Sequence, residues 1–437
     1  MHIRHLILFS SLIFFSKNAE AQVKVLLSKK DLKEKLEHSN LELAIANKNI
    51  SAAKADLQQA SAVFLPTIQL SHTAISTTNP LMAFGSKLNQ AILTQADFNP
   101  ALLNNPEVTR NYSTMLEVQQ PLVNIDGIYG RKAAKSKMEA YELQHERTAE
   151  YMNWLIEKSY MQLQLTYKAV GVLEKADSTG KANLQLVENY AKQGMVQKTD
   201  LLRVKVHVND VTNQLAHART NLQNASDYIA YLLHEDMSGK TYQPSEELEN
   251  TISKTVVEET IPQGRKDLMA YEKSTEAYKL MWQSGKMSLL PRLNAFGNYQ
   301  WYDKNLFGTQ ANGYLVGAQL SWNVFDGYKS FGKINKAKAD YEKANLEQEQ
   351  YETQSNLELN STIRQLSDAF NKEALSQVDM EQASEAYRIL QNRYTQGLEK
   401  TTDLLQASTL LLQKELEHLQ AVFEYNTTAQ YIHFLTH

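Results

Sequence analysis

The chain contains no cysteine, and that absence excludes three things at once. No disulfide can staple it, no thiolate can serve as nucleophile or metal ligand, and no lipid can be attached to an N-terminal cysteine. Proline and glycine are scarce, 8 and 16 in 437 residues, so few points interrupt regular structure. No stretch approaches the roughly eighteen continuous apolar residues that a transmembrane helix needs. Basic blocks are missing as well. The formal net charge of -4 leaves no electrostatic footprint for nucleic acid. Signatures of catalysis fail in turn. His234-Glu235 and His145-Glu146 both lack the second histidine, four residues on, that a zinc-protease helix requires. There is no Gly-rich phosphate loop and no nucleophile elbow, and the many glutamates suit solvated helix faces. The expectation is a protein that is not an enzyme, with no catalytic residues, no cofactor and no metal.

What the chain does have is an internal duplication. Phe64-Leu65-Pro66-Thr67-Ile68-Gln69-Leu70 returns as Leu289-Leu290-Pro291-Arg292-Leu293-Asn294-Ala295. Val123-Asn124-Ile125-Asp126-Gly127 returns as Asn323-Val324-Phe325-Asp326-Gly327. Gln193-Gly194 with Lys198-Thr199-Asp200-Leu201-Leu202 returns as Gln396-Gly397 with Thr401-Thr402-Asp403-Leu404-Leu405. The order is kept, which marks a repeated architecture. Between its first two motifs the first half carries about 25 extra residues.

Residues 1–21 read as a secretion signal: His2, Arg4 and His5, then the apolar run Leu6 to Phe15, then Ala19-Glu20-Ala21 at the cleavage position. A secreted chain without a transmembrane helix can still enter a membrane as a closed β-barrel. Strand signals are present in both halves. Past Pro66, Ile68, Leu70 and Ala74 alternate with Thr67, Gln69, Ser71 and Thr73, and Tyr112, Thr114, Leu116 and Val118 alternate with Ser113, Met115, Glu117 and Gln119. In the second half Leu293, Ala295, Gly297, Tyr299 and Trp301 share one face, joined by Tyr314, Val316, Ala318, Leu320 and Trp322. That is period two over roughly the ten residues that cross a bilayer as a tilted strand. Leu293, Tyr299, Tyr314, Val316 and Leu320 are therefore the expected lipid-facing residues. Two hairpins on a soluble core would give the same alternation; their length, together with secretion, favours the barrel.

The rest reads as helix. The first repeat is expected over 22–235, with a helix at 29–62, a β-hairpin at 66–120, a long helix at 129–192 and a return helix at 199–234. The second is expected over 264–437, with a helix at 264–287, a hairpin at 291–322, a long helix at 329–392 and a return helix at 402–435. Pro66 and Pro291 stop the leading helices, because the residue before proline is pushed to extended backbone. At 1.5 Å per residue the long helices span on the order of 95 Å each. Val204, Val208, Val211, Leu215, Ala218, Leu222, Ala225, Ile229 and Leu232 hold a four–three seam, as do Leu405, Thr409, Leu412, Leu416, Leu419 and Phe423. Residues 236–263 carry no helical stripe and read as a connector, or equatorial segment, of short strand or helix. The extra residues from Asn79-Pro80 to Asn105-Pro106 keep no strand alternation and are expected to form an outward-facing loop with a short helix over the barrel mouth.

Four strands cannot close a barrel, and open edges in lipid leave N–H and C=O groups unpaired at several kcal/mol each. Several copies must combine. Two would give eight strands, a barrel whose side chains nearly fill it, whereas three would give twelve and leave room for water.

The ordered set of motifs in both halves resembles the outer membrane factor, or TolC-like, family of outer membrane efflux proteins, over essentially the whole mature chain. The resemblance implies an all-α chain with a membrane β-barrel: a homotrimer whose twelve-stranded outer-membrane barrel continues into a long periplasmic α-helical barrel. It implies a passive export channel in the outer membrane, the exit duct of a tripartite efflux or type I secretion system. Its partners would be outer-membrane lipid, a periplasmic membrane-fusion (adaptor) protein and, through it, an inner-membrane RND, ABC or MFS transporter. The alternative is a stand-alone porin with a helical stalk. The adaptor-contact tips implied by the resemblance match Gly194, Lys198, Thr199, Asp200, Gly397, Thr401, Thr402 and Asp403. On the residues alone, Thr199 and Thr402 can cap the return helices, Asp200 and Asp403 place charge where the helix dipole favours it, and Gly194 and Gly397 let the preceding helices end tightly. The acidic ring that lines the gate of the best-known member of that family is not matched here. Arg388 and Arg393 stand on the approach to the second tip and are the candidate gate residues, with ion pairing to neighbouring helices as the competing reading.

Overall fold

A computed structural model describes residues 23–237, 239–249 and 260–437. The secretion signal expected over 1–21 and part of the 236–263 connector lie outside the described residues. The chain divides into two compact units that cut across the sequence halves: Leu43–Thr148 with Ile261–Leu357, and Met1–Glu42 with Ala149–Thr260 and Glu358–His437.

The first of these units holds a four-stranded antiparallel sheet in the order β2-β3-β5-β6, made of β2 (Thr67–Thr77), β3 (Thr109–Val123), β5 (Arg292–Asp303) and β6 (Ala311–Ser321). Register puts Ile68 opposite Val118, Val118 opposite Gly297, and Gly297 opposite Val316. A second row runs Leu70, Leu116, Tyr299, Tyr314. Successive strand residues point to opposite faces. One face is therefore apolar across all four strands, and the other carries Gln69, Glu117, Asn298 and Gln300. Gly317 is demanded by this packing: a Cβ there would meet the Phe296 ring at 2.8 Å. β2 and β6 are edges with no further strand beside them among the described residues.

Helices α2 (Leu41–Ser61) and α7 (Lys266–Met287), with the beginnings of α5 (Ile125–Lys192) and α8 (Lys329–Thr395), complete this unit. The duplicated motifs meet here. Arg292 of the second proline motif pairs with Asp126 of the first Asp-Gly motif, its Nε 3.2 Å from Asp126 Oδ1. The two Asp-Gly pairs differ in backbone, which the sequence expectation of a helix starting at 129 did not foresee. Helix α5 begins at Ile125, so Asp126 and Gly127 lie in its first turn, with Asn124 Oδ1 accepting from the Gly127 N–H. Gly127 is needed because a Cβ would sit 2.3 Å from Val63; Gly327 instead has φ +68° ahead of α8.

A buried network joins α5, α7 and α8. Arg265 donates to Asp267 Oδ1 (2.7 Å) and to Ser355 Oγ (2.8 Å), Arg147 lies 3.2 Å from Asp267 Oδ2, and Tyr351 donates to the same oxygen at 2.7 Å. Burial opposes ionisation of Asp267, but hydrogen bonds from Arg265 and Tyr351 and the charges of Arg147 and Arg265 outweigh it and hold the carboxyl below its ordinary range. Burial, with the Asp267 hydrogen bond, pushes the Tyr351 phenol up to about 12.

The extra segment carries the expected short helix and a second one besides. It contains α3 (Pro80–Asn89), a 3-10 turn at Gln95–Phe98 and α4 (Pro100–Asn104). Asn79 and Asn99 cap the two helices, each followed by proline at the first helical position. Lys87 bonds Asp97 at 2.8 Å. Helix α3 lies against the start of β3 through Gln90, whose Nε2 donates to the Arg110 carbonyl and to Asn111 Oδ1, both at 2.8 Å.

In the second unit β1 (Val23–Leu27) pairs in parallel with β4 (Lys240–Pro244). Around them pack α1 (Lys29–Ser39), the later parts of α5 and α8, α6 (Lys198–Leu232) and α9 (Thr401–Thr436). The single helix expected over 29–62 is broken at Asn40, which takes extended backbone and gives its side-chain amide to the Leu232 carbonyl at 2.8 Å. A buried amide with that partner offsets one lost helical turn. The seam of α6 is buried as spaced except that Ser226 replaces Ala225, its hydroxyl accepting the Tyr242 N–H from β4. In α9 Leu404 and Ala407 are buried where Leu405 and Thr409 were expected, since the tip cluster draws the helix face inward.

Replacing Asp267 with Asn removes the carboxylate that Arg265, Arg147 and Tyr351 share, and should cost about 3–5 kcal/mol by the measured scale for broken buried pairs. The sign with pH is set by the depressed carboxyl: its stabilisation is present above the unfolded value near pH ~4 and is lost as pH falls through the folded value. Thermal melting of the wild-type chain between neutral and acid pH should show this loss, and D267N should melt lower at neutral pH with a flatter acid dependence.

Candidate functional site: two hairpin tips and one membrane-facing sheet

Both helical hairpins turn in the same way. Helix α5 ends with Gly194 and α8 with Gly397, each at φ +73°, a left-handed backbone that favours glycine. The N–H of Met195 bonds the Tyr190 carbonyl (2.9 Å) and that of Gly194 the Ala191 carbonyl (3.1 Å). Leu398 to Arg393 (2.9 Å) and Gly397 to Tyr394 (3.0 Å) repeat the pattern, the paired bonds of a Schellman motif. The return helices start at Lys198 and Thr401, with Gln197 and Lys400 as the flanking residues. Neither flanking residue caps with its side chain. Thr199 and Thr402, expected as caps, fall two residues past the capping position, inside the helix; Thr199 Oγ1 reaches Gln197 Oε1 and Thr402 Oγ1 reaches Asp403 Oδ1, both at 3.3 Å. Asp200 and Asp403 do occupy the first turns, where the dipole favours negative charge.

The two tips are brought together by a shared core. Val187, Val204, Val208, Tyr394 and Leu404 are buried against one another, with Tyr190, Val196, Leu201 and Leu405 around them. Tyr394 shares a 3.1 Å hydrogen bond with Thr401, which is buried in the chain and supports the turn from within. Gly194, Lys198, Thr199 and Gly397 remain exposed, and Asp200, Thr402 and Asp403 are half-buried. The sequence reading missed Met195 and Leu398. In a Schellman motif the residue after the glycine commonly folds back on its helix; here both stand out into solvent, 69% and 63% exposed. A large apolar residue directly after each tip glycine was the available signal.

Arg388 and Arg393 both reach the tip region with a carboxylate of their own chain. Arg388 bonds Glu385 at 2.6 and 2.7 Å, and Arg393 bonds Glu399 at 3.0 Å. The Arg388 hydrogen bond holds the Glu385 carboxyl below its usual value. The expected pairing with neighbouring helices takes a more local form, within one helix for Arg388 and from helix to turn for Arg393.

The five residues expected to face lipid share the apolar face of the sheet. Leu293 pairs with Leu320, Tyr299 with Tyr314, and Val316 lies opposite Gly297. Tyr314, Val316 and Leu320 are strongly exposed on the edge strand β6, and Ile68 and Leu70 on the other edge strand, β2.

Comparison with known proteins places these features. A family profile described as outer membrane efflux protein matches residues 32–233 and 259–436. No curated protein sequence matches the chain. Among solved structures, the CmeC outer membrane channel of Campylobacter jejuni superposes with a TM-score of 0.82 at 14% identity, covering 93% of this chain and 85% of that one. The outer membrane protein VceC of Vibrio cholerae gives 0.77 at 17% identity, with 93% and 96% covered. The MtrE outer membrane channel of Neisseria gonorrhoeae, solved in an open state, gives 0.75 at 14% identity, with 93% and 88% covered. At these identities the likeness establishes the fold.

The face assignment generates a paired prediction. A lysine at Val316 meets hydrocarbon and should cost about 2–4 kcal/mol near the bilayer midplane, whereas a lysine at Gln319, on the opposite face, should be tolerated. Outer-membrane yield and heat-modifiable migration of V316K and Q319K check this; equal behaviour of the two would remove the assignment.

Proposed function

The chain belongs to the outer membrane efflux protein family, and from that premise we propose that it is the exit duct of a tripartite efflux or type I secretion system, working as a homotrimer. Membership makes it a transport protein of the outer membrane and not an enzyme. The carrying observation is the four-stranded sheet with one apolar face and two free edges. In lipid those edges must pair, and three copies supply twelve strands, enough for a water-filled lumen. All four strands alternate in direction, so β6 of one copy meets β2 of the next antiparallel, and the ladder continues round the ring.

The hairpin tips are the proposed docking surface for a periplasmic adaptor. Their support is the pairing of a buried core beneath with two exposed apolar side chains, Met195 and Leu398, and exposed Lys198 and Thr199 above. Apolar anchors ringed by polar groups are how a stable contact is commonly built. The duct itself needs no cofactor, since the transporter behind the adaptor, of the RND, ABC or MFS class, supplies the energy. Opening is a shift between closed and splayed arrangements of the tips that adaptor binding favours. Arg388 and Arg393 are proposed to act at that gate as charge-compensated pairs, which leaves the constriction with little net charge from them.

Deletion of the gene followed by paired assays of small-solute accumulation and of the secreted proteome tests the reading; a change in neither would contradict it. Serine at both Met195 and Leu398 should abolish export while trimers persist, because the anchors are solvent-exposed in the chain and lost only from the interface. At the gate, E385Q with E399Q unmasks two cations per copy, and single-channel recordings should shift toward anions. Unchanged selectivity in assembled trimers would remove both arginines from the gate.

A further inference from the structure

The insertion between β2 and β3 covers one face of the sheet, and which face decides its role. On β3, Thr109, Asn111 and Ser113 are each buried to 7% exposure while Arg110 between them is exposed. These three share a face with Met115, Glu117 and Gln119, the polar side. Helix α3 supplies the cover. Its inward residues Ala83, Ser86 and Gln90 follow helical spacing, are all buried, and Gln90 is fixed by its two bonds to β3. Ala83 and Ser86 are small, which lets the helix approach the strand closely. The apolar side of the same sheet bears Ile68, Leu70, Leu116, Val118, Tyr299, Val316 and Leu320, and only that side can meet hydrocarbon. Helix α3 therefore lies on the lumen side.

We propose that the 79–106 insertion is a lumen-side collar at the outer mouth that restricts this duct to small solutes and excludes folded polypeptides. The inference rests on the barrel reading above and adds the class of cargo to it. Dimensions carry it. Twelve strands spaced ~4.8 Å apart and tilted by about 40° close a barrel roughly 24 Å across between backbones. A helix with its side chains is about 10 Å across, so three copies of α3 occupy nearly the whole width. The segment is also built to stay in place. Asn79 and Asn99 cap its helices, Thr94 and Asp97 form a reciprocal capping box, Lys87 bonds Asp97, and Phe84 packs edge-on against Phe98 at 5.6 Å. What it turns away from β3 is apolar: Leu81, Met82 and Leu88 are exposed in the single chain, Leu81 at 81%. In the ring these side chains face the other two collars and line the remaining gap, a surface suited to apolar or amphipathic small molecules.

The absence of native cysteine makes the test clean. Single cysteines are placed at Asn294, on the polar face near the far end of β5, at Ser113 beneath the collar, at Gln300 on the polar face beyond it, and at Tyr299 on the apolar face. Each is made in the full chain and in a chain with residues 81–105 replaced by a short Gly-Ser turn. Intact cells are treated from outside with a bulky polyethylene-glycol maleimide and, separately, with a small charged maleimide. The collar predicts that N294C in the full chain resists the bulky reagent and reacts at least roughly tenfold faster once the insertion is removed, as a pore limited by its narrowest point requires. Rapid reaction of N294C with the bulky reagent in the full chain overturns the collar. Labelling of Y299C in place of N294C in the shortened chain would instead overturn the barrel reading. S113C needs no truncation: with the small reagent it should react more slowly than Q300C, and equal rates would sink the proposal even where the shortened chain fails to assemble.

Discussion

Everything in this protein depends on where the backbone hydrogen bonds of two edge strands go. A sheet of four strands leaves one row of unpaired groups along β2 and another along β6. In water such rows can be solvated; in hydrocarbon each unpaired group costs several kcal/mol. Family membership places the protein in the outer membrane, and the apolar face that spans all four strands is the face that suits hydrocarbon. A single chain with this sheet is thus an incomplete solution, and a closed ring is the way to complete it. The duplicated sequence fits the same constraint, because each half contributes one hairpin to the sheet and the proposed ring would multiply a unit that is already twofold.

The helical parts respond to a different demand. Chains that leave the membrane and continue as long helices have few apolar residues with which to hold position, and α8 in particular carries a polar surface along most of its length. Stability is concentrated at particular levels instead. One is the buried Arg265–Asp267–Tyr351 network with Arg147. Another is the β1–β4 pair, whose own Leu27 and Tyr242 are fully buried. A third is the tip core around Tyr394 and Leu404. The network's directional bonds tie α5, α7 and α8 together at one register.

Much of this was legible in the residues. Period-two alternation marked the four strands and their faces, because the side-chain period of a strand is fixed by geometry. Glycine at each tip marked the left-handed turn, since other residues are strained there. The family resemblance then supplied assembly and partners that alternation alone could not. Other features were hidden. The break at Asn40 depends on a carbonyl, Leu232, that lies far away in sequence, and no local pattern announces it. The cap roles given to Thr199 and Thr402 failed by two residues, within the usual uncertainty of helix ends. Arg388 and Arg393 could be placed near the tip, but their partners Glu385 and Glu399 only emerged once the helix and its turn were built. The insertion read as a loop with one short helix of unstated bounds, because short capped helices carry too few residues for a periodic signal, and its contact with the polar face is a tertiary choice made by Gln90.

The central claim is that neighbouring copies close the sheet through β6 and β2, and cross-linking across that seam tests it most directly. Single cysteines along Thr67–Thr77 are combined with single cysteines along Ala311–Ser321 in the cysteine-free chain, and the purified protein is oxidised in detergent. The account predicts that a regularly spaced subset of pairs yields covalent rings of three, with the register stepping as an antiparallel ladder requires. A chain that purifies as a monomer, with no β2–β6 pair forming an intermolecular bond, would contradict it.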